Sequence, residues 1–450
     1  MEAYGSREVS FKFRGREYGF TLSHGLFSSA DIDRGSRLLL KVLSRLWDED
    51  IREGRPLPSA VLDAGSGVGV LGICAAGALQ ELAVRDLRLR AQDRDELARR
   101  FTGENARKNQ IPPSVLEPRT EPLLAGPPQA RWDLILSNIP AKAGLPVLRD
   151  FVGRGASLLT RGGRVLLVAV KPLAERLRSW IAEACCPLLL EEETAGHSVL
   201  AYGAPAEAPP PSAAGPIAAE ADLLAEYPAY VRGRGDYTLE GLSYSLDAVQ
   251  GAADFDHPSI AVMTAAALAS RLRLRDRILS LEGRPPLLVH EPDQGHFPVW
   301  LAQHARLAQH ARLAAQARPL LEEDRPWVFS GRNILALGAS RHNFLGNGGK
   351  EPRIVPATDL ALEEALLAAA GGGPFGLIAA FPEIVPGAWR AAASWAAVRR
   401  LLIAGGILLV SLPALQAADF DRVKPPGFTR LGDLKRRGYR ALAYALPALG

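Results

Sequence analysis

The residues best suited to chemistry lie together in the first third of the chain: Asp63-Ala64-Gly65-Ser66-Gly67-Val68-Gly69. The short apolar run 60–65 leads into them and a mostly apolar stretch, 67–82, follows. That order predicts a buried strand, a glycine turn and a helix. Glycines at such a turn take backbone conformations closed to other residues and let a ligand approach the main chain. The dinucleotide fingerprint G-x-G-x-x-G is not met, because Val70 stands where that spacing wants a glycine. The acid two positions before the first glycine, Asp63, suits a ligand bearing an amino-acid ammonium better than a pyrophosphate. The bland alternative is a turn that merely packs a helix on a strand.

Two further positions sit where strands should end. Asp93 lies 24 residues past Gly69, at the close of the alternating run LRLRAQD (87–93). A carboxylate there can accept hydrogen bonds from both hydroxyls of a ribose, or it can cap the amphipathic helix expected over 96–109. Asn138 closes the run DLILSN (133–138) and is followed by Ile139, Pro140, Ala141 and Lys142. Lys142 can meet a phosphate or simply be solvated.

These residues need a scaffold, and the pattern supplies one. Strand-like and helical stretches alternate through 60–109, DLILSN follows, and GGRVLLVAV (162–170) turns from glycines into another strand. The succession predicts an α/β domain with a parallel sheet covered on both faces. The second half repeats the first in degraded form. ADIDRGS (30–36) returns as ADFDHPS (253–259), WDLILSN (132–138) as FGLIAAF (375–381), GGRVLLVA (162–169) as GGILLVSL (405–412), and HSVLAYGA (197–204) as YRALAYAL (439–446). The glycine-loop segment 61–75 is answered by LVHEPDQGHFPVWLA (288–302), with Glu291 opposite Asp63, only Gly295 from the glycine set, and Phe381 opposite Asn138. The offset rises from 223 for the first pair to 243 for the middle ones and is 242 for the last, as loop insertions in one copy would produce. The Ala/Pro/Gly-rich stretch 203–219 cannot build a core. The expected division is residues 1–204 with intact motifs, a linker at 205–219, and a degenerate copy at 220–450.

Composition narrows the class. A hydrophobic fraction of 48% and a charged fraction of 23% exclude a largely disordered chain. A net charge of +4 over 450 residues is weak evidence for nucleic-acid binding, and the 45 arginines against 8 lysines read mostly as genome composition. Cys74, Cys185 and Cys186 have no zinc-site spacing and the adjacent pair suits no disulfide, so a reducing compartment is expected. The N-terminus carries charges throughout and does not read as a signal peptide. The longest uncharged stretch, 401–418, is interrupted by Gly405-Gly406 and Pro413 and reads as a buried strand. The hexamer AQHARL (302–307) is repeated at 308–313, but its His304 and His310 are off-phase for one helical face, so no metal site is expected.

The glycine loop with its preceding acid resembles the first motif of class I S-adenosylmethionine-dependent methyltransferases. ENARKNQI (104–111) is similar to an asparagine-bearing helix common in that superfamily. Thr21–Leu40, with Gly25-Leu26-Phe27-Ser28 and Asp33-Arg34-Gly35-Ser36, resembles the segment leading into "methyltransferase small" domains of ribosomal RNA small-subunit guanine-N2 methyltransferases, which are themselves tandem duplications. The resemblance implies two tandem Rossmann-like class I methyltransferase domains, the second degenerate. It implies S-adenosylmethionine held by Asp63 and Gly65, Gly67 and Gly69, with Asp93 on the ribose, Glu121 near the adenine amino group, and Phe27 closing the pocket. It implies Asn138 and Pro140 as the catalytic motif, the Asn carboxamide accepting from a target NH₂ so that its lone pair faces the methyl group. The family motif is (N/D/S)-P-P-(Y/F/W); here Ile139 replaces the first proline and Ala141 the aromatic, which removes a base-stacking ring. The intact copy also comes first here and second in that family. The expected activity is methyl transfer to a guanine exocyclic amine of ribosomal RNA. The alternatives are a protein amide or small-molecule amine acceptor, or a silent RNA- or ribosome-binding scaffold. RNA is the expected partner; no metal or membrane is expected, and the expected form is a cytoplasmic monomer.

Overall fold

The computed structural model describes residues 2–27, 29–125, 130–206, 223–226, 228–254, 256–303, 325–361 and 363–447. All but the first two residues of the AQHARL repeat, His304 and His310 included, and all but the first two residues of the linker expected at 205–219, lie outside them. The chain divides into two compact units, residues 1–221 with 385–388, and 222–384 with 389–450.

Unit 1 opens with a hairpin, β1 (Arg7–Phe13) and β2 (Arg16–Leu22), followed by α1 (Arg34–Arg52). Then come β3 (Ala60–Ala64), α2 (Val70–Glu81), β4 (Arg88–Asp93), α3 (Glu96–Lys108), β5 (Leu116–Thr120), β6 (Trp132–Asn138), α4 (Leu145–Ser157), β7 (Leu159–Val170), α5 (Lys171–Glu183), β8 (Leu188–Glu193) and β9 (His197–Gly203). The sheet runs β5-β4-β3-β6-β7-β9-β8. Its first five strands are parallel, and β9 pairs antiparallel with both β7 and β8. The strand order turns back between β3 and β6. In open α/β sheets a crevice forms at the C-terminal ends of the strands on either side of such a reversal.

The core explains the packing. Val61, Leu89, Ala91, Leu134, Leu136, Leu166 and Val168 from one sheet face join residues of α1, α2, α3 and the hairpin. On the other face α4 packs on β7, and the Tyr202 hydroxyl donates to the Val152 carbonyl at 3.1 Å. Helix starts are fixed by side chains: Asp33 accepts from Ser36 N–H, and Asp95 from Leu97 N–H. The start of α2 at Gly69 has no side-chain cap.

Unit 2 repeats the plan. A short α6 (Leu223–Glu226) precedes the hairpin β10 (Val231–Leu239) and β11 (Leu242–Val249). They are followed by α7 (Ile260–Arg271), α8 (Leu274–Leu279), β12 (Leu287–His290), α9 (His296–Gln303), β13 (Trp327–Gly331), α10 (Ile334–Gly346), β14 (Arg353–Pro356), α11 (Glu363–Ala369), β15 (Phe375–Ala380), α12 (Ala391–Leu401), β16 (Leu402–Pro413), α13 (Ala414–Arg422), β17 (Thr429–Arg436) and β18 (Tyr439–Ala445). Its sheet runs β14-β13-β12-β15-β16-β18-β17, the same order as in unit 1. The fold is therefore two tandem Rossmann-like domains. The uncharged stretch 401–418 contains strand β16, whose residues 406–412 are buried, and no described helix is long and apolar enough to cross a membrane.

The resemblance of 104–111 to an asparagine-bearing helix has a structural meaning. On α3, Asn105 accepts from Thr21 N–H at 2.9 Å and donates to the carbonyls of Thr21 (3.1 Å) and Val68 (2.9 Å). Asn109 accepts from Gly19 N–H at 2.9 Å and donates to Gly19 O at 2.7 Å. The two amides bolt the edge of β2 to α3 and satisfy main-chain groups the hairpin leaves unpaired. Unit 2 uses the same bolts. Asn343 on α10 accepts from Asp247 N–H at 2.7 Å and donates to the carbonyls of Asp247 and Gln294, and Asn347 donates to Ser245 O at 2.9 Å.

Candidate active site

The C-terminal ends of β3, β4 and β6 bring the sequence candidates to one edge of the unit 1 sheet. Asp63, one residue from the end of β3, is fully buried. One carboxylate oxygen accepts from Gly72 N–H in the first turn of α2 at 2.8 Å, and the other is buried without a hydrogen-bond partner. Burial pushes its carboxyl up to about 7 from 3.8; the Gly72 bond opposes this, and the charge of Asp93 adds to it.

The glycine loop crosses from β3 to α2. Gly65 and Ser66 donate to the Gln92 carbonyl at 2.9 and 3.0 Å, and Gly69 donates to Ser66 O at 2.8 Å. All three glycines are left-handed, with φ of 81° at Gly65, 56° at Gly67 and 89° at Gly69. Their surroundings differ. A Cβ on Gly69 would lie 2.9 Å from Ile73 and 3.0 Å from Thr102, so packing forbids one. A Cβ on Gly67 would meet no protein atom within 4 Å, so this glycine faces open space.

Asp93 ends β4 and grips the loop. One oxygen accepts from Gly67 N–H at 3.0 Å and the other from Asp95 N–H at 3.0 Å. Burial raises its pKa, with Asp95's charge adding and the two N–H bonds opposing. The helix cap itself is Asp95, so Asp93 is left to shape the loop. Each oxygen retains a lone pair.

Asn138 ends β6. Its amide nitrogen donates to Asp33 Oδ2 at 2.7 Å and to Ser36 Oγ at 3.0 Å. A carboxylate only accepts, so the amide cannot turn over without placing two oxygens face to face. Asp33 and Ser36 belong to the cap of α1, where Ser36 N–H donates to Asp33 Oδ2 at 3.1 Å. Sequence reasoning does not single out these two residues for the site; their signal is an N-cap motif that also reaches the end of β6. Ile139 is buried, and its N–H donates to Val168 O at 3.0 Å. Pro140, Ala141 and Lys142 are exposed on the turn leading to α4.

Phe27 is 74% exposed, on the segment joining β2 to α1. That segment starts where Gly25 lies against Leu97 of α3 and ends at Asp33 beside Asn138. Glu121 follows β5; its N–H donates to Asp93 O at 2.9 Å, and its carboxylate lies 3.6 Å from the Arg90 guanidinium. Gln92, whose amide nitrogen donates to Pro122 O and Leu123 O at 3.0 and 2.8 Å, ties the next residues to the sheet. Among the described residues no group of His, Cys, Asp and Glu could hold a metal ion.

The matching edge of unit 2 is built differently. Gly295 (φ 94°) precedes α9 and donates to Pro292 O at 2.9 Å, as Gly69 does to Ser66 O. Counting back, Glu291 (φ 56°) occupies the place of Gly65 and Asp293 (φ 48°) that of Gly67, while Val289 takes the place of Asp63. The sequence match of Glu291 to Asp63 is thus displaced by two residues, because the segment before α9 carries acids where unit 1 carries glycines. The Glu291 carboxylate accepts from Arg332 N–H at 2.9 Å and lies 2.6 Å from where a Gly331 Cβ would be. Burial pushes both Glu291 and Asp293 up to about 8. The turn that is open in unit 1 is occupied in unit 2 by its own side chains.

Residues 17–195 match the family model of the methyltransferase small domain. The uncharacterized protein YbxB of Bacillus subtilis is 28% identical over 163 residues, 36% of this chain and 73% of that protein. The structure of the T. thermophilus 16S rRNA N2 methyltransferase (RsmC), in complex with AdoMet and guanosine, superposes with a TM-score of 0.57 at 17% identity and covers 99% of both chains, a likeness of fold. Over residues 17–195 this chain is thus similar to the methyltransferase small domain, and over its full length its fold is like that of an S-adenosylmethionine-dependent methyltransferase.

Proposed function

We propose that unit 1 transfers a methyl group from S-adenosylmethionine to an exocyclic amine of guanine in ribosomal RNA. The observation that carries the reading is the fixed amide of Asn138. Its nitrogen is spent on Asp33 and Ser36, so its oxygen is left to accept from an acceptor N–H.

The residues fit the cofactor. The partnerless Asp63 oxygen is a buried acceptor suited to an ammonium, and ion pairing there would repay the cost of burying the charge. The uncapped start of α2 suits a carboxylate. Gly67 leaves room above the loop, and Asp93 retains lone pairs for ribose hydroxyls. Glu121 flanks the adenine end and Phe27 closes over the edge. When bound, S-adenosylmethionine supplies an electrophilic methyl on a sulfonium sulfur. The chain's own part is positioning. Asn138 Oδ1 would accept one N–H of the acceptor and hold the nitrogen lone pair in line with the methyl, and Pro140 would stiffen the turn behind it; the N–C bond would form as the S–C bond breaks, and the surplus amine proton would pass to water.

Guanine is favoured by the full-length likeness to RsmC, and the matching folds and shared asparagine bolts of the two units favour a duplication in which unit 2 no longer binds the cofactor. A second reading keeps the cofactor and takes a protein amide or small amine; the exposed Ala141, which gives a base no stacking ring, favours it. Nucleoside mass spectrometry of ribosomal RNA from cells lacking the protein separates the two. Loss of one N2-methylguanosine supports the first reading, and an unchanged set removes it. Turnover abolished by Asn138→Ala excludes a silent scaffold.

A further inference from the structure

Both sheets end in an antiparallel hairpin, and the charge at its tip differs between the units. In unit 1, β8 ends in Glu191-Glu192-Glu193, and each carboxylate meets a cation: Arg178 at 2.9 Å from Glu191, Arg45 at 2.6 Å from Glu192, and Lys171 at 3.3 Å from Glu193. In unit 2 the cross-strand register puts Asp433, Leu434 and Lys435 in those places, and the run Lys435-Arg436-Arg437 leads from the last of them into the turn. The three cations of that run are exposed, and none has an ion pair among the described residues. Their cationic neighbours are already engaged: Arg430 with Asp421 at 2.8 Å, Arg440 with Asp433 at 2.6 Å, and Lys424 with the Phe428 carbonyl at 2.7 Å.

The tip that carries these cations is rigid. Arg436 pairs with Tyr439 across a two-residue turn, with Arg437 and Gly438 both left-handed at φ 44° and 85°. That is the tight hairpin turn whose twist matches its strands. Gly438 O accepts from Ala414 N–H at 2.8 Å, which pins the tip to the start of α13. There Leu415, 78% exposed, is the most exposed large apolar side chain among the described residues.

We propose that the β17–β18 tip, with Lys435, Arg436, Arg437 and Leu415, is a docking surface for the phosphate backbone of RNA. Arginine forks match phosphate oxygens, and a pre-ordered turn presents them with little entropy left to lose. Leu415 offers apolar contact to a sugar or base beside the phosphates. The proposal rests on RNA as the substrate of unit 1 and assigns unit 2 a part in holding it.

The test is binding of the full chain to deproteinised small-subunit ribosomal RNA across a salt series, with wild type and the triple variant Lys435→Gln, Arg436→Gln, Arg437→Gln. Each phosphate contact contributes about 0.7–0.9 to the slope of log K against log salt, so the variant should lose about 2–3 units of slope. At low salt it should bind roughly tenfold or more weakly. An S-adenosylmethionine titration of the same variant should match wild type and so certify the fold. An unchanged slope overturns the platform. So does aggregation of the variant with RNA binding intact, which would make these cations guards of the exposed edge strand β17. Loss of binding to vesicles containing phosphatidylserine, with RNA binding unchanged, overturns it in favour of a membrane. If wild type itself binds this RNA without salt dependence, or not at all, the RNA reading of unit 1 fails and the platform with it. A variant that behaves as wild type against a steep wild-type slope refutes the platform alone.

Discussion

Replacing Asp63 by asparagine should make the ligand-free protein more stable while destroying cofactor binding. The carboxylate is buried, with one oxygen on Gly72 N–H and the other unpartnered, and burial raises it to about 7 from 3.8. The folded value lies above the unfolded one, so the folded state holds the proton more tightly. The stability penalty is absent below about pH 4, grows as pH rises toward 7, and is constant above that. About 3 pH units at ~1.4 kcal/mol each set a ceiling of about 4 kcal/mol at pH 8. The amide introduced by Asp63→Asn would keep an acceptor for Gly72 and carry no charge, but its NH₂ would be buried at a cost of about 1–3 kcal/mol. A net gain of about 1–3 kcal/mol remains, or roughly 2–10 °C in Tm for a domain of this size. At pH 5 most of the penalty is already gone and the gain should fall below half. Thermal unfolding of both proteins at pH 5 and pH 8 reads this. Isothermal titration with S-adenosylmethionine reads the other arm, where losing a buried charge partner should weaken binding by at least about 30-fold. A variant that is less stable at pH 8 would show the carboxylate to be part of the fold. A variant that binds the cofactor as wild type does would remove Asp63 from the site.

Wild-type affinity for the cofactor should fall about tenfold per pH unit below 7, as Asp63 takes up its proton, and calorimetry should register proton release on binding. Asp33→Ala frees the Asn138 amide to turn and should lower kcat by about 10–100-fold while leaving the cofactor KM nearly unchanged, which steady-state kinetics separates. Asn105→Ala removes bonds to Thr21 and Val68 and should cost about 2–4 kcal/mol, with hydrogen exchange of residues 7–22 rising first. Titration of the whole chain should give one cofactor site, since unit 2 fills its own turn; two sites would refute that.

Much of the frame is legible because Ala60–Ala64 is an apolar run ending at glycines, Arg88–Asp93 alternates and Trp132–Asn138 holds an apolar run, and all three fall where the pattern puts them. Leu116–Thr120 is hard to read because it carries Pro118, which an edge strand tolerates and an inner one does not. The hairpins at 7–22 and 231–249 escape the pattern, although their residues alternate, because they stand outside the βα succession and are held by asparagines from distant helices. The geometric partnership of Asn138 with Asp33 is the least legible element. It joins residues 105 positions apart, and only the sheet's C-terminal edge brings them together.

The second unit bears on which site residues serve the fold and which serve a ligand. A glycine loop can always be read as a turn that packs a helix on a strand. Unit 2 makes the same turn, on the same strand order, with Glu291 and Asp293 in left-handed backbone where unit 1 has Gly65 and Gly67. Non-glycine residues there cost about 1–2 kcal/mol each, and the fold absorbs it. The turn alone therefore does not require those two glycines. Gly69 is another matter: its counterpart Gly295 is kept, and a Cβ there would lie 3.0 Å from Ser340, as one on Gly69 would from Thr102. The asparagine bolts are kept as well. What differs between the units is Asp63, Gly65, Gly67, Asp93 and Asn138, replaced in order by Val289, Glu291, Asp293, Gly331 and Phe381. A set that the fold can lose together, and that converges on one sheet edge, is the set expected of a ligand. By the same logic Gly69 belongs to the scaffold: Gly69→Ala should damage folding, whereas Gly67→Ala should leave a folded protein with weakened cofactor binding.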